Sequence, residues 1–117
     1  MIGIKFGKIE RETIHLCIDM QRIFLEPSPW FCQQGIEILE PILALIRYQP
    51  YKSWFSQFMT PNNSNEMENS WERYYEYWKP LTQDHLEKGM LDVHQGLLQE
   101  SSTSQIFEKF SYDSFKN

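Results

Sequence analysis

Short apolar runs alternate with helical spacings along this chain, and their order predicts an α/β fold with a parallel sheet. Thr13-Ile14-His15-Leu16-Cys17-Ile18 is short, β-branched and apolar at nearly every position. That is the pattern of a strand in a parallel sheet covered on both faces. His15 interrupts it and reads as a partly buried histidine with a hydrogen-bond partner. Asp19-Met20-Gln21 ends the run in a polar turn, and Pro27-Ser28-Pro29-Trp30 reads as an extended turn. From 36 to 47, Ile36, Leu39, Leu43 and Ile46 fall on one helical face, with Pro41 as a first-turn residue or a kink. Tyr51-Lys52-Ser53-Trp54-Phe55-Ser56 is a second strand. Strand, helix, strand in that order predicts a βαβ unit with a right-handed crossover.

A polar loop rich in Asn, Pro and Ser spans 59–70, long enough to suggest a functional role. In the next segment Trp71, Tyr74, Tyr75 and Trp78 stand at i, i+3, i+4 and i+7, one face of a helix, while Glu72, Arg73, Glu76 and Lys79 face away. These rings either pack the helix on the body or wall a ligand pocket. Pro80 ends the helix. Thr82 is positioned to cap a short helix through Lys88, with Gly89 as its stop. Residues 91–99 read as another short helix and 100–104 as a Ser/Thr linker. Gln105-Ile106-Phe107-Glu108-Lys109-Phe110 reads as a third strand ending near Lys109.

Composition narrows the function classes. A length of 117 residues fits one domain, and 41% hydrophobic with 15% aromatic residues excludes a disordered chain. The formal net charge is −5 with no Lys/Arg cluster, which argues against a nucleic-acid surface. No apolar stretch approaches the roughly 20 residues of a membrane helix, and the first twelve residues lack the continuous apolar core of a signal peptide. No membrane partner and a cytoplasmic location are therefore expected. Cys17 and Cys32 form no Cys-x-x-Cys pair; Cys17 reads as a small buried hydrophobe, and Cys32 lies in a polar loop with no adjacent cation to activate it.

In an open parallel sheet, ligands bind beyond the carboxyl ends of the strands. Asp19 follows the first strand and Lys109 ends the third. An Asp near a Lys across a crevice is suited to acid–base work, although strand-end carboxylates also serve as helix caps or surface charges.

Taken together, the motifs resemble a known family. His-Leu-Cys-Ile-Asp-Met-Gln-Arg-Ile-Phe at 15–24, followed by Glu26-Pro27-Ser28-Pro29-Trp30, resembles the opening of isochorismatase-like cysteine hydrolases. Phe55-Ser56-Gln57-Phe58 is similar to a Phe-Thr-Arg-Phe segment of one subgroup. The aromatic run 71–78 is similar to that subgroup's Trp/Tyr-rich segment. Lys109 with Tyr112 and Phe115 is similar to its Asp-Lys-x-x-Tyr-Ser-x-Phe segment. The resemblance covers about residues 13 to 115. It implies a Rossmann-like three-layer α/β/α fold and a catalytic set of Asp, Lys and a Cys nucleophile. By that analogy Asp19 is the general base and Lys109 orients it and stabilises negative charge. The Cys attacks a carbonyl or amide carbon, with backbone N–H groups holding the oxyanion. Some members cleave an ether-type bond instead. Gln21, Phe24 and Trp30, together with Trp71, Tyr75 and Trp78, are the substrate-pocket candidates. The substrate is expected to be a small molecule.

The departures are informative. Neither Cys17 nor Cys32 occupies the family's nucleophile position, which lies after a fourth strand. Gln57 replaces an Arg, Glu108 an Asp and Asp113 a Ser. Nicotinamidase-type members bind a metal through an Asp-x-His pair after the second strand. Here that region reads Ser56-Gln57-Phe58-Met59-Thr60-Pro61, so no metal site is expected, and no cofactor. The expectation is a single truncated domain over 1–117 with an incomplete parallel sheet, strands 3-2-1 of a 3-2-1-4-5-6 order. Strand 1 would then be an edge, open to pairing with another chain. Two readings follow. One is a hydrolase family member inactive as this fragment. The other is a non-catalytic interaction module using the strand 1 edge and the aromatic helix, with a homo-oligomer or a missing-half chain as partner.

Overall fold

The computed structural model describes residues 7–102 and 105–111. Tyr112, Asp113 and Phe115 of the last motif lie outside the described residues. Strands β1 (His15–Ile18), β2 (Ser53–Phe58) and β3 (Gln105–Lys109) form a parallel sheet in the order β1-β2-β3. The α/β expectation and its strand order hold. The register sets His15 beside Ser53, Cys17 beside Phe55, and Phe58 beside Lys109. All three strands therefore direct their carboxyl ends the same way.

The helices are α1 (Arg22–Leu25), α2 (Gln33–Glu37), α3 (Leu39–Tyr48), α4 (Ser70–Tyr77) and α5 (Gln95–Glu100). On one sheet face Cys17 and Phe55 pack with Ile46 of α3 and Leu97 of α5. Phe55, Ile46 and Leu97 are completely buried, each worth roughly 1.5–3 kcal/mol of transfer free energy. A second cluster gathers Ile23, Leu81, Met90 and Leu91 with Phe24, Trp30 and Trp78 packed against it.

Four local expectations change. The helix expected over 36–47 is two helices, broken at Ile38. Pro41 has no N–H to offer the Glu37 carbonyl, so one continuous ladder cannot cross this point; Pro41 sits instead in the first turn of α3, where no donor is needed. Residues 82–88 form turns, not a capped helix. Their backbone is drawn to the polar loop: Gln83 N–H donates to the Pro61 carbonyl and Asp84 N–H to Asn62. The Thr82 hydroxyl donates to Lys79 O at 2.7 Å rather than capping. Residues 91–94 are likewise not helical. They hydrogen-bond to 20–23, with Arg22 N–H donating to Asp92 O and His94 N–H to Met20 O. Finally, β1 is not covered on both faces. Ile14 and Ile18, which alternate with the buried Cys17, are half exposed.

Candidate active site

The site is built where the chain leaves β1. Asp19 has φ 59°, the left-handed region that short polar side chains tolerate best after glycine. Its N–H still donates to the Ser56 carbonyl at 3.2 Å, and its own carbonyl accepts from Gln21 N–H at 2.9 Å. The chain thus turns sharply at the sheet's rim and exposes the Asp19 carboxylate there.

Gln21 fixes that turn. It is completely buried, its amide donates to Phe58 O at 2.8 Å and Leu91 O at 2.7 Å, and its carbonyl accepts from Phe58 N at 2.7 Å. Three backbone groups on two other segments are satisfied by one side chain. Gln21 is therefore a structural clamp and does not line the cavity.

Lys109, the last residue of β3, is 4% exposed, and its Nζ lies 3.1 Å from Asp19 Oδ1. The contact is an ion pair lacking hydrogen-bond alignment at Oδ1. The Asp19 side chain remains 36% exposed. A buried ammonium needs a counter-charge, and Asp19 supplies it across the width of the sheet while keeping access to solvent.

A cleft of about 310 Å³ opens beside this pair, lined by Asp19, Phe24, Trp30, Phe31, Phe58 and Tyr74. Trp30 is the hub of its wall. Its ring stacks nearly parallel to Phe24 at 6.0 Å and meets Phe58 at 6.1 Å, Tyr74 at 6.3 Å and Trp78 at 5.8 Å. Of the six pocket candidates, Phe24 and Trp30 line the cleft. Trp71, Tyr75 and Trp78 do not; Tyr75 is completely buried, and Trp78 packs behind Trp30. Tyr74, one of the four rings read as packing or as pocket wall, also lines it, and Phe31 and Phe58 line it without having been singled out. Tyr74 shares the aromatic stripe of α4, and Phe58 is the register partner of Lys109; nothing in the local pattern marks Phe31.

Neither cysteine lines this cleft. Cys17 is buried on the α3/α5 side of the sheet, its Sγ 3.5 Å from His15 Nε2, while His15 Nδ1 lies 3.1 Å from Ser53 Oγ. Burial pushes the Cys17 thiol up to about 11 and moves His15 below its usual value. Both shifts oppose a thiolate–imidazolium pair. Gln57, where the resembled subgroup has an Arg, turns its amide to the Leu91 carbonyl at 2.8 Å. No cluster of three or more His, Cys, Asp or Glu suited to a metal ion occurs among the described residues.

No family model matches the sequence, and no curated protein matches it. A solved structure does. A cysteine hydrolase from Pseudomonas syringae pv. phaseolicola 1448A superposes with a TM-score of 0.65 at 17% identity. The match covers 89% of this chain and 49% of that one, so the chain spans about half the length of the hydrolase structure. At this identity the likeness is one of fold: the chain has the α/β fold of that cysteine hydrolase.

Proposed function

We propose that this chain carries the acid–base portion of an isochorismatase-like hydrolase and that these 117 residues alone do not turn over substrate. The observation that carries the reading is the ion pair of Asp19 and Lys109 beside an aromatic cleft, at the strand ends where this fold class binds ligands. Asp19 is the base: its carboxylate is accessible from the cleft. Lys109 is a positioning residue, buried behind Asp19 and holding its carboxylate in place. The nucleophile is the unfilled role, because Cys17 is buried elsewhere with a raised pKa and Cys32 does not line the cleft. Location in the cytoplasm accords with this reading; no helix of the described residues is long and apolar enough to cross a membrane.

The test is an assay of the chain against simple amides and isochorismate, with Asp19→Asn as control. No hydrolysis above background is expected. Rapid turnover abolished by Asp19→Asn would retain the hydrolase reading and overturn the inactivity.

One observation favours a second reading, a non-catalytic interaction module. β1 is an outer strand of the sheet among the described residues, and Ile18 on it and Ile14 just before it are half exposed. Outer apolar strands pair readily with other chains. This reading predicts a dimer or larger species in sedimentation velocity at micromolar concentration; a monodisperse monomer counts against it.

A further inference from the structure

We infer that the cleft beside Asp19 selects a compact organic cation, a quaternary or protonated tertiary ammonium, over neutral or anionic ligands of the same size. The inference rests on the cleft being the ligand site of the proposed function, and it names the class of ligand.

The argument starts from the lining. Five of its six residues are aromatic: Phe24, Trp30, Phe31, Phe58 and Tyr74. Ring faces are electron-rich and attract cations, and quaternary ammonium groups are recognised by cages of such rings. The rings here are set for enclosure rather than for flat stacking. Phe24 and Trp30 lie within 4° of parallel, while Phe58 stands at 72° and Tyr74 at 51° to Trp30.

Charge points the same way. Among the described residues Asp19 is the one charged residue of the lining, and its side chain is 36% exposed. Its cationic partner does not compete for the cleft, since Lys109 is 4% exposed and absent from the lining. A ligand therefore meets the carboxylate before the ammonium. Gln57 is neutral and turned to the Leu91 carbonyl, so it offers an anion nothing here. No Arg or Lys among the described residues lines the cleft, so a carboxylate-bearing ligand would meet Asp19 in front and the Lys109 ammonium only behind it. The chain's net charge of −5 adds a long-range field of the same sign. Size sets the last limit: a cleft of about 310 Å³ is at the small end of ligand pockets.

The test is titration of the intact chain by calorimetry with three probes: choline, its neutral carbon isostere dimethylbutanol, and benzoate. Choline is expected to bind about tenfold or more tightly than dimethylbutanol, the contribution of charge against ring faces, and benzoate more weakly than either. Asp19→Asn, which keeps the left-handed backbone accessible, should cut the choline preference about fivefold or more. Phe31→Leu, at a ring 40% exposed and outside the buried clusters, should cut it without unfolding the chain. Equal binding of choline and dimethylbutanol, tighter binding of benzoate, or no binding of choline at millimolar concentration overturns the inference. The hydrolysis assay separates the two proposals. Choline preference without any hydrolysis is the result both proposals expect. Turnover abolished by Asp19→Asn overturns the inactivity and leaves the inference to the titrations, and no cation preference without hydrolysis overturns the inference alone.

Discussion

Two constellations of reactive residue types sit on the same sheet, and they differ in what burial does to them. His15, Cys17 and Ser53 meet where β1 and β2 lie side by side, with a thiol 3.5 Å from an imidazole. By residue type this resembles a nucleophile with its base. Burial, however, holds the thiol and the imidazole neutral. Asp19 and Lys109 meet at the strand ends, 3.1 Å apart, as an ion pair with one partner open to a cleft. The first group is core with polar atoms; the second is a charge pair with one partner open to a cleft. Access and charge compensation separate them, not residue identity.

The largest way to break this contrast is Gln21→Leu. It takes the Gln21 partner from Phe58 N–H and Phe58 C=O, while Leu91 C=O loses one of two donors and keeps the Gln57 amide. Unsatisfied buried groups cost about 1–3 kcal/mol each, and with partial relaxation a loss of about 3 kcal/mol is expected in urea unfolding. Hydrogen exchange should rise at 19–24 and 90–93 and stay low in β1 around Cys17. Uniform loosening of both regions would mean that they are not independent.

Asp19→Asn comes next. It strands the Lys109 ammonium, and removing one partner of a buried pair typically costs 3–5 kcal/mol. Asp19 is partly exposed, so about 2 kcal/mol is expected here. Lys109→Met should cost less than Asp19→Asn, because the carboxylate it leaves behind reaches water. The reverse order would show that the ammonium, not the carboxylate, tolerates isolation.

The smallest effect sharpens the core side. Thiolate absorbance should give Cys17 a midpoint of about 11. The unfolded thiol ionises first, near 9.0, so stability should fall as pH rises from about that value toward 11. Cys17→Val should remove that loss. His15 acts on the other limb: its folded value is lowered, the unfolded imidazole takes the proton first near 6.5, and stability should fall as pH drops below that value. A Cys17 that ionises below 9 would return it to the list of nucleophiles.

The sequence made the framework legible because it is local. The strand runs 13–18, 51–56 and 105–110 each contain the observed strand or most of it, and the βαβ order follows from them. β2 runs two residues later, to Phe58, since Pro50–Lys52 forms a turn and Phe58 is held in the ladder by Gln21 and β3. What escaped the sequence is long-range. Residues 82–94 have helical spacing, yet several of their backbone N–H and C=O groups pair with 61–62 and 20–23, which no local pattern announces. In the site, the strand ends at Asp19 and Lys109 were readable, and their 3.1 Å approach agrees with that reading of position. Gln21 looked like a pocket residue because amide side chains suit either task. Only its three backbone partners, up to 70 residues away, distinguish a clamp from a binding group. Phe31 escaped because a ring in a turn has no periodicity to betray it.

The parallel register has a consequence for synthesis on the ribosome. His15 pairs with Ser53, 38 residues further along the chain. At about 5–20 residues per second, β1 waits roughly 2–8 s for its first neighbour to be made. During that interval its apolar run is an unpaired strand in a nascent chain, the stage at which chaperone capture or misassociation competes with folding. Slowing translation between codons 19 and 53 should therefore lower the soluble yield more than the same delay placed after codon 60.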